Sequence, residues 1–235
     1  MNKKKGLMQV ELADERIVEI FKTQSKFDVV YADPPWDINQ KGRYGAINHY
    51  RLMHLKDIMA MPVDEMTNDD AVLFLWIVGG PAGRKAGEAV MKAWGFDLKA
   101  DFDWIKPRMG LGNIVRHARE TMLIGIKGKP VLDFRGQQDW EFWPLQEHSH
   151  KPEEAYAVIE RLYQDRKYLE LFARKRPTNP NWYIWGDEAE GGSDIVIPGF
   201  PVPAYSGRIT EEVKTSDKLQ NTNDRSISAE PEKEA

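Results

Sequence analysis

The chain has 235 residues, 41% of them hydrophobic, and a formal net charge of −4. That length fits one domain with appendages, and that hydrophobic share is enough for a sizeable core. The absence of cysteine excludes disulfides and thiolate metal sites, and the longest apolar run, Ala71 to Val78, is too short to cross a bilayer.

In chain order, Met1 to Lys5 is charged and no apolar signal region follows, so a soluble, cytoplasmic protein is expected. Residues 10–22 mix charges with Val10, Leu12, Ile17, Val18, Ile20 and Phe21, and lead into the first buried strand, Phe27 to Ala32. Asp33-Pro34-Pro35-Trp36 follows. Two prolines cannot continue a central strand, so the chain turns there and presents a carboxylate and an indole at a strand's carboxyl end. Open α/β sheets bind ligands at that end. The prolines lack N–H groups, so the turn offers mostly acceptors, which suits an –NH2 donor on a flat ring. Asp-Pro-Pro is also a common turn string, and a Trp after it is equally at home in a core.

A long loop without clear periodicity, Asp37 to His54, carries Arg43, Tyr44 and Tyr50. A short helix at Leu55 to Met61 and a turn at Asn68-Asp69-Asp70 precede the strand Ala71 to Val78. Gly79-Gly80-Pro81 then opens a helix to about Trp94. Strands are read at Leu98 to Ile105 and Glu120 to Lys127. The loop between them is rich in Lys106, Arg108, Arg116 and Arg119, candidates for phosphate contact or simply a solvated basic loop. Residues 133–150 are irregular and aromatic, and His148 and His150 lack the further ligands of a metal site. Lys151-Pro152 starts the clearest helix, with Ala155, Val158, Ile159, Leu162 and Tyr163 on one stripe. Strands at Tyr168 to Ala173 and Trp182 to Trp185 complete an α/β pattern with a largely parallel sheet. Residues 187–235 carry eleven Asp/Glu against five Lys/Arg, which leaves a mildly basic body. We expect a domain over 1–207 and a disordered polar tail over 208–235.

Ala32 to Ile38 resembles the catalytic motif of the MT-A family of adenine-N6 methyltransferases. So do, in the same order, Leu73-Phe74-Leu75-Trp76, Ser149-His150-Lys151-Pro152, and Leu169 to Arg174 through Asn181-Trp182. The resemblance runs from about Phe27 to Glu188. It implies a Rossmann-like S-adenosylmethionine-dependent methyltransferase fold with permuted motif order, because the donor strand follows the catalytic turn. It implies a catalytic centre at Asp33, Pro34, Pro35 and Trp36. Donor contacts would come from Asp33, Lys151, Phe172, Arg174, Arg176, Asp187 and Glu188. The base would be stacked by Trp36 with help from Tyr44, and Lys106, Arg108, Arg116 and Arg119 would meet the nucleic acid. S-adenosylmethionine is the implied cofactor, without a metal. The compact chain leans toward DNA, with RNA as the alternative, and a homodimer or a partner subunit is left open. A catalytically inactive partner subunit is the rival reading, and the intact turn and Lys151 speak against it.

Overall fold

The computed structural model describes residues 26–38, 51–110, 114–145 and 151–202. Tyr44, His148, His150, the segment 10–22 and the tail 208–235 lie outside the described residues. Seven strands form one sheet: β1 (Phe27–Ala32), β2 (Thr67–Ile77), β3 (Asp97–Ile105), β4 (Arg119–Lys127), β5 (Trp140–Phe142), β6 (Tyr168–Leu171) and β7 (Trp182–Trp185). Their order is β5-β3-β4-β2-β1-β6-β7. Every neighbouring pair is parallel except the two that involve β4, which runs against both β2 and β3. The mostly parallel α/β sheet read from the sequence is therefore present.

The central strands are apolar on both faces because both faces are covered. Helices α1 (Leu55–Met59), α2 (Val63–Met66) and α3 (Pro81–Ala93) join one core, in which Ile58, Met66, Val90 and Met91 meet Val30, Leu73, Leu75 and Leu171. Helix α4 (Glu154–Leu162) covers the other face with Ala155, Val158 and Ile159. That face is aromatic: Tyr31, Phe74, Trp76, Trp104, Trp143, Tyr168 and Trp182 pack there. Ile195, Val196, Ile197, Phe200 and Val202 are buried, so the chain after β7 still belongs to the body.

Two local readings change. Asn68-Asp69-Asp70 is not a turn but the exposed start of β2. Their polarity is used there: the Asn68 amide donates to Asp28 at 2.8 Å, and Asp70 accepts the Lys129 N–H at 2.7 Å. The irregular aromatic stretch contains the edge strand β5, with Trp143 stacked on Phe102 at 5.4 Å while Trp140 and Phe142 stay exposed.

The carboxyl ends of β6 and β7 approach so closely that only glycine fits at position 186. A Cβ there would sit 2.3 Å from the Ala173 carbonyl oxygen and 2.8 Å from its nitrogen. Both are backbone atoms and neither can step aside. Gly186→Ala is expected to destabilise the protein by about 1–3 kcal/mol. Calorimetry should show the melting temperature several degrees lower, since each kcal/mol moves a chain of this size by roughly 2–4 °C.

Candidate active site

The turn after β1 is held by its own backbone. The Trp36 N–H donates to the Pro34 carbonyl at 2.9 Å, and the Pro35 carbonyl accepts the Met53 N–H at 2.8 Å. Asp37 N–H returns to the Met53 carbonyl at 3.2 Å, so Trp36 and Met53 form a parallel bridge. One lone pair of the Pro34 carbonyl is thus used, and its second remains as an acceptor. Trp36 itself is 4% exposed, and its indole N–H donates to the Trp76 carbonyl at 3.1 Å. This corrects the expectation of a stacking face: Trp36 is a peg that fixes the turn into the core. A large apolar ring with a satisfied N–H is more stable there than in water.

Asp33 and Lys151 meet at 2.6 Å. Lys151 also lies 3.4 Å from Glu120 at the start of β4, and Glu120 accepts from Lys106. The antiparallel direction of β4 explains this meeting. Its amino-terminal end falls at the same sheet edge as the carboxyl ends of β1 and β2, where Thr121 faces Ile77. The two lysines are seated on rings, Lys151 at 5.5 Å from Trp76 and Lys106 at 4.7 Å from Trp104. Crowding by protein pushes the Asp33 carboxyl above the ordinary range, and Lys151 only partly offsets it. Burial pushes Glu120 up as well, but Lys151 and Lys106 together outweigh it and hold that carboxyl low.

Strand β6 leads into Phe172, which adopts φ 65°, a left-handed conformation unusual for a non-glycine residue. Its ring rests edge-on against Trp185 at 5.5 Å. Arg174 pairs with Glu188 at 3.5 Å, and Asp187 pairs with Arg51 at 3.5 Å. Arg176 is committed elsewhere than expected: it donates to Asp194 at 2.7 Å and to the Gly192 carbonyl at 3.1 Å. It staples the segment after β7 to the segment after β6.

The basic loop divides as well. Lys106 turns inward to Glu120, and Arg119 pairs with Asp103 at 2.6 Å. Arg108 and Arg116 are exposed and, among the described residues, make no ion pair. Among the described residues of this loop, Arg108, Arg116 and Arg119 are therefore exposed, Arg119 with its side chain 65% accessible despite its pair, and Lys106 alone turns inward.

The family model for MT-A70 matches residues 27–188. That span contains the turn, both lysines, Glu120 and β6. The chain belongs to the MT-A70 family. It is 34% identical over 175 residues to the N(6)-adenosine-methyltransferase subunit METTL3 of Danio rerio, covering 71% of this chain and 28% of the relative. The same identity and coverage of this chain hold for the catalytic subunit METTL3 of Homo sapiens, with 29% of that protein covered. The non-catalytic subunit METTL14 of Danio rerio is 25% identical over 228 residues, covering 86% of this chain and 49% of the relative. The chain thus spans less than a third of the METTL3 relatives and about half of the METTL14 relative.

Within this MT-A70 domain, two carboxylates escaped the role assignments made from the sequence. Glu120 opens a strand and looks like any strand-start charge until β4 is known to run antiparallel. Glu170 did carry a signal, an acid inside the apolar run Leu169 to Phe172. It is 8% exposed and accepts from the Tyr156 hydroxyl at 2.8 Å. Burial pushes its carboxyl up to about 8, against the Tyr156 hydrogen bond and with help from the negative charge of Asp33. Burial and the neighbouring carboxylate raise Tyr156 too, so it stays a donor.

Lys151→Met tests the shared cation. Without it, Asp33 and Glu120 lose their common partner and both carboxyls rise. A folded-state pKa above the unfolded one gives stability that is present at low pH and lost as pH rises through the folded value. The variant should therefore lose more melting temperature relative to wild type near pH 8 than near pH 5. Equal losses at the two pH values would show that Lys151 does not compensate these carboxylates.

Proposed function

We propose that this MT-A70 domain transfers a methyl group from S-adenosylmethionine to the N6 amine of adenosine in RNA. The observation that carries the reading is the Asp33–Lys151 pair at 2.6 Å, set at the end of β1 directly before Pro34-Pro35 and inside the family match. The RNA preference rests on the relatives, whose names specify adenosine, a ribonucleoside. They outweigh the lean toward DNA drawn from the chain's compactness.

The residues suit this donor. Lys151 offers a cation to its carboxylate, and Asp187 and Glu188 offer acceptors to the ribose hydroxyls once they turn from Arg51 and Arg174. The carboxylates Asp33 and Glu120 add acceptors beside Lys151 that suit a cationic donor. When bound, that donor supplies a methyl group on a good leaving group. The remaining difficulty is the adenine amine, whose lone pair is delocalised into the ring. Asp33 and the second lone pair of the Pro34 carbonyl accept its N–H groups, favour a pyramidal nitrogen and aim it. Such orientation supplies roughly 7–11 kcal/mol in favourable cases. Asp33 takes the departing proton only as the amine becomes cationic, so its raised pKa does not hinder the transfer. A paired base cannot reach this turn, so the substrate is single-stranded or flipped. Resemblance to both a catalytic and a non-catalytic subunit supports work with a partner subunit.

Matched single-stranded RNA and DNA oligomers, labelled donor and nucleoside mass spectrometry test the reading. N6-methyladenosine should form in RNA at least tenfold faster than its counterpart in DNA. Asp33→Ala should remain folded and lose at least about 100-fold in rate, the scale for a positioned acid–base group. Faster methylation of DNA overturns the substrate and leaves the reaction. An unaffected Asp33→Ala overturns the reaction centre.

A further inference from the structure

Glu170 is buried, titratable and without a specific contact in the reaction above. On β6 it lies opposite Tyr31 of β1, and Ala32 lies opposite Leu171. Glu170 therefore shares a sheet face with Tyr31. Asp33 follows two residues after Tyr31, and its negative charge is felt at Glu170. Tyr156 occupies Glu170 Oε2 at 2.8 Å. Among the described residues Oε1 has no hydrogen-bond partner, and it is not sealed from solvent. The titratable groups that face Glu170 are Tyr31 and Asp33 from the β1 side and Tyr156 from α4. On β7 the paired residue is the apolar Ile184, and the nearby Trp182 turns its N–H to Glu160 at 2.6 Å. Among the described residues no cation pairs with Glu170, while Lys151 is engaged by Asp33 and Glu120. A half-satisfied carboxyl in a nearly dry site, without a cation of its own, is the complement of a cationic ligand.

We propose that Glu170 is a positioning residue of the donor site: its carboxyl group is the electrostatic counterpart of the sulfonium donor, so that donor capture and loss of one proton from Glu170 are a single linked event. This rests on the donor assignment in the proposed function. In the step, the Glu170 O–H bond breaks heterolytically, its electron pair stays on oxygen and the proton passes to bulk buffer. Nothing is oxidised or reduced. The demethylated product is a thioether without charge on sulfur. Glu170 then regains its proton, and the product loses the partner that held the donor. The pair Glu170–Tyr156 thereby favours exchange of product for fresh donor.

Calorimetry on the full chain tests this, with S-adenosylmethionine and S-adenosylhomocysteine, each in two buffers of different ionisation enthalpy. Burial pushes the Glu170 carboxyl up to about 8. It is mostly protonated near pH 7 and ionised near pH 9, so release belongs to the lower pH. Wild type should release about one proton more with the donor than with the product near pH 7, and nearly none more near pH 9. The donor's own α-amine titrates in the same range, so the difference from Glu170→Gln is the decisive readout. In that variant the extra proton should disappear, and the preference for donor over product should fall by roughly tenfold. Equal release from donor and product in wild type overturns the proposal, as does unchanged release in a folded Glu170→Gln. Should that variant fail to fold, Tyr156→Phe serves. It removes the hydrogen bond that lowers the Glu170 pKa, so the release window must move to higher pH, and an unmoved window overturns the linkage. Absence of any binding by wild type defeats the donor assignment itself. Binding without extra proton release defeats only the role of Glu170.

Discussion

Lys151 is the cation on which the site depends. Its ammonium joins Asp33 after β1 to Glu120 at the head of β4, and it leads directly into Pro152 and α4. Two carboxylates at one sheet edge would repel and resist ionisation in low-dielectric surroundings. One buried ammonium between them converts that repulsion into two attractions. Such a triad is only modestly stabilising in net terms, because three groups give up water to form it. Its value is geometric: the Asp33 carboxylate at the end of β1 is held in one place.

The sheet topology makes the triad possible. Parallel strands β1, β6 and β7 place Asp33, Phe172 and Gly186 along one edge, the usual ligand edge of an open α/β sheet. A purely parallel sheet would bring only strand ends there. The reversed β4 contributes a strand beginning, and with it Glu120 and the nearby Lys106. The aromatic face beneath these charges does further work. Trp76 and Trp104 seat the two lysines, and Tyr31 and Tyr156 are held protonated by burial and adjacent carboxylates. The charged layer therefore rests on ring faces that attract cations and on neutral hydroxyls, of which Tyr31 accepts from the Trp76 N–H and Tyr156 donates to Glu170.

Strand positions along the chain were largely legible in the sequence, because buried parallel strands are continuous apolar runs with few competing patterns. Trp182 to Trp185 and the stripe of α4 are examples. The sheet order and the reversal of β4 were not legible. Asn68-Asp69-Asp70 misled because three polar residues look like a turn, and only the partners Asp28 and Lys129 show why they extend β2. Residues singled out near the motif do come together, though as ion pairs the sequence did not specify: Asp33 with Lys151, and Arg174 with Glu188. Those that depend on long-range pairing were not legible. Nothing local says that Arg176 reaches Asp194, that Lys106 turns inward, or that Trp36 prefers the Trp76 carbonyl to an exposed position.

The burial of Trp36 also explains how the turn and the donor strand are mechanically joined. With its ring fixed under Trp76 and its backbone bridged to Met53, Trp36 anchors the chain on both sides of residues 39–50. Two residues before Met53, Arg51 reaches Asp187 just past β7. A ligand that draws Asp187 toward its own hydroxyls must therefore loosen Arg51, and Arg51 is tied through Met53 to the Pro35 carbonyl. Asp187 and the Asp33 turn are thus joined by one short path: the Arg51–Asp187 ion pair, the backbone from Arg51 to Met53, and the hydrogen bond from the Met53 N–H to the Pro35 carbonyl.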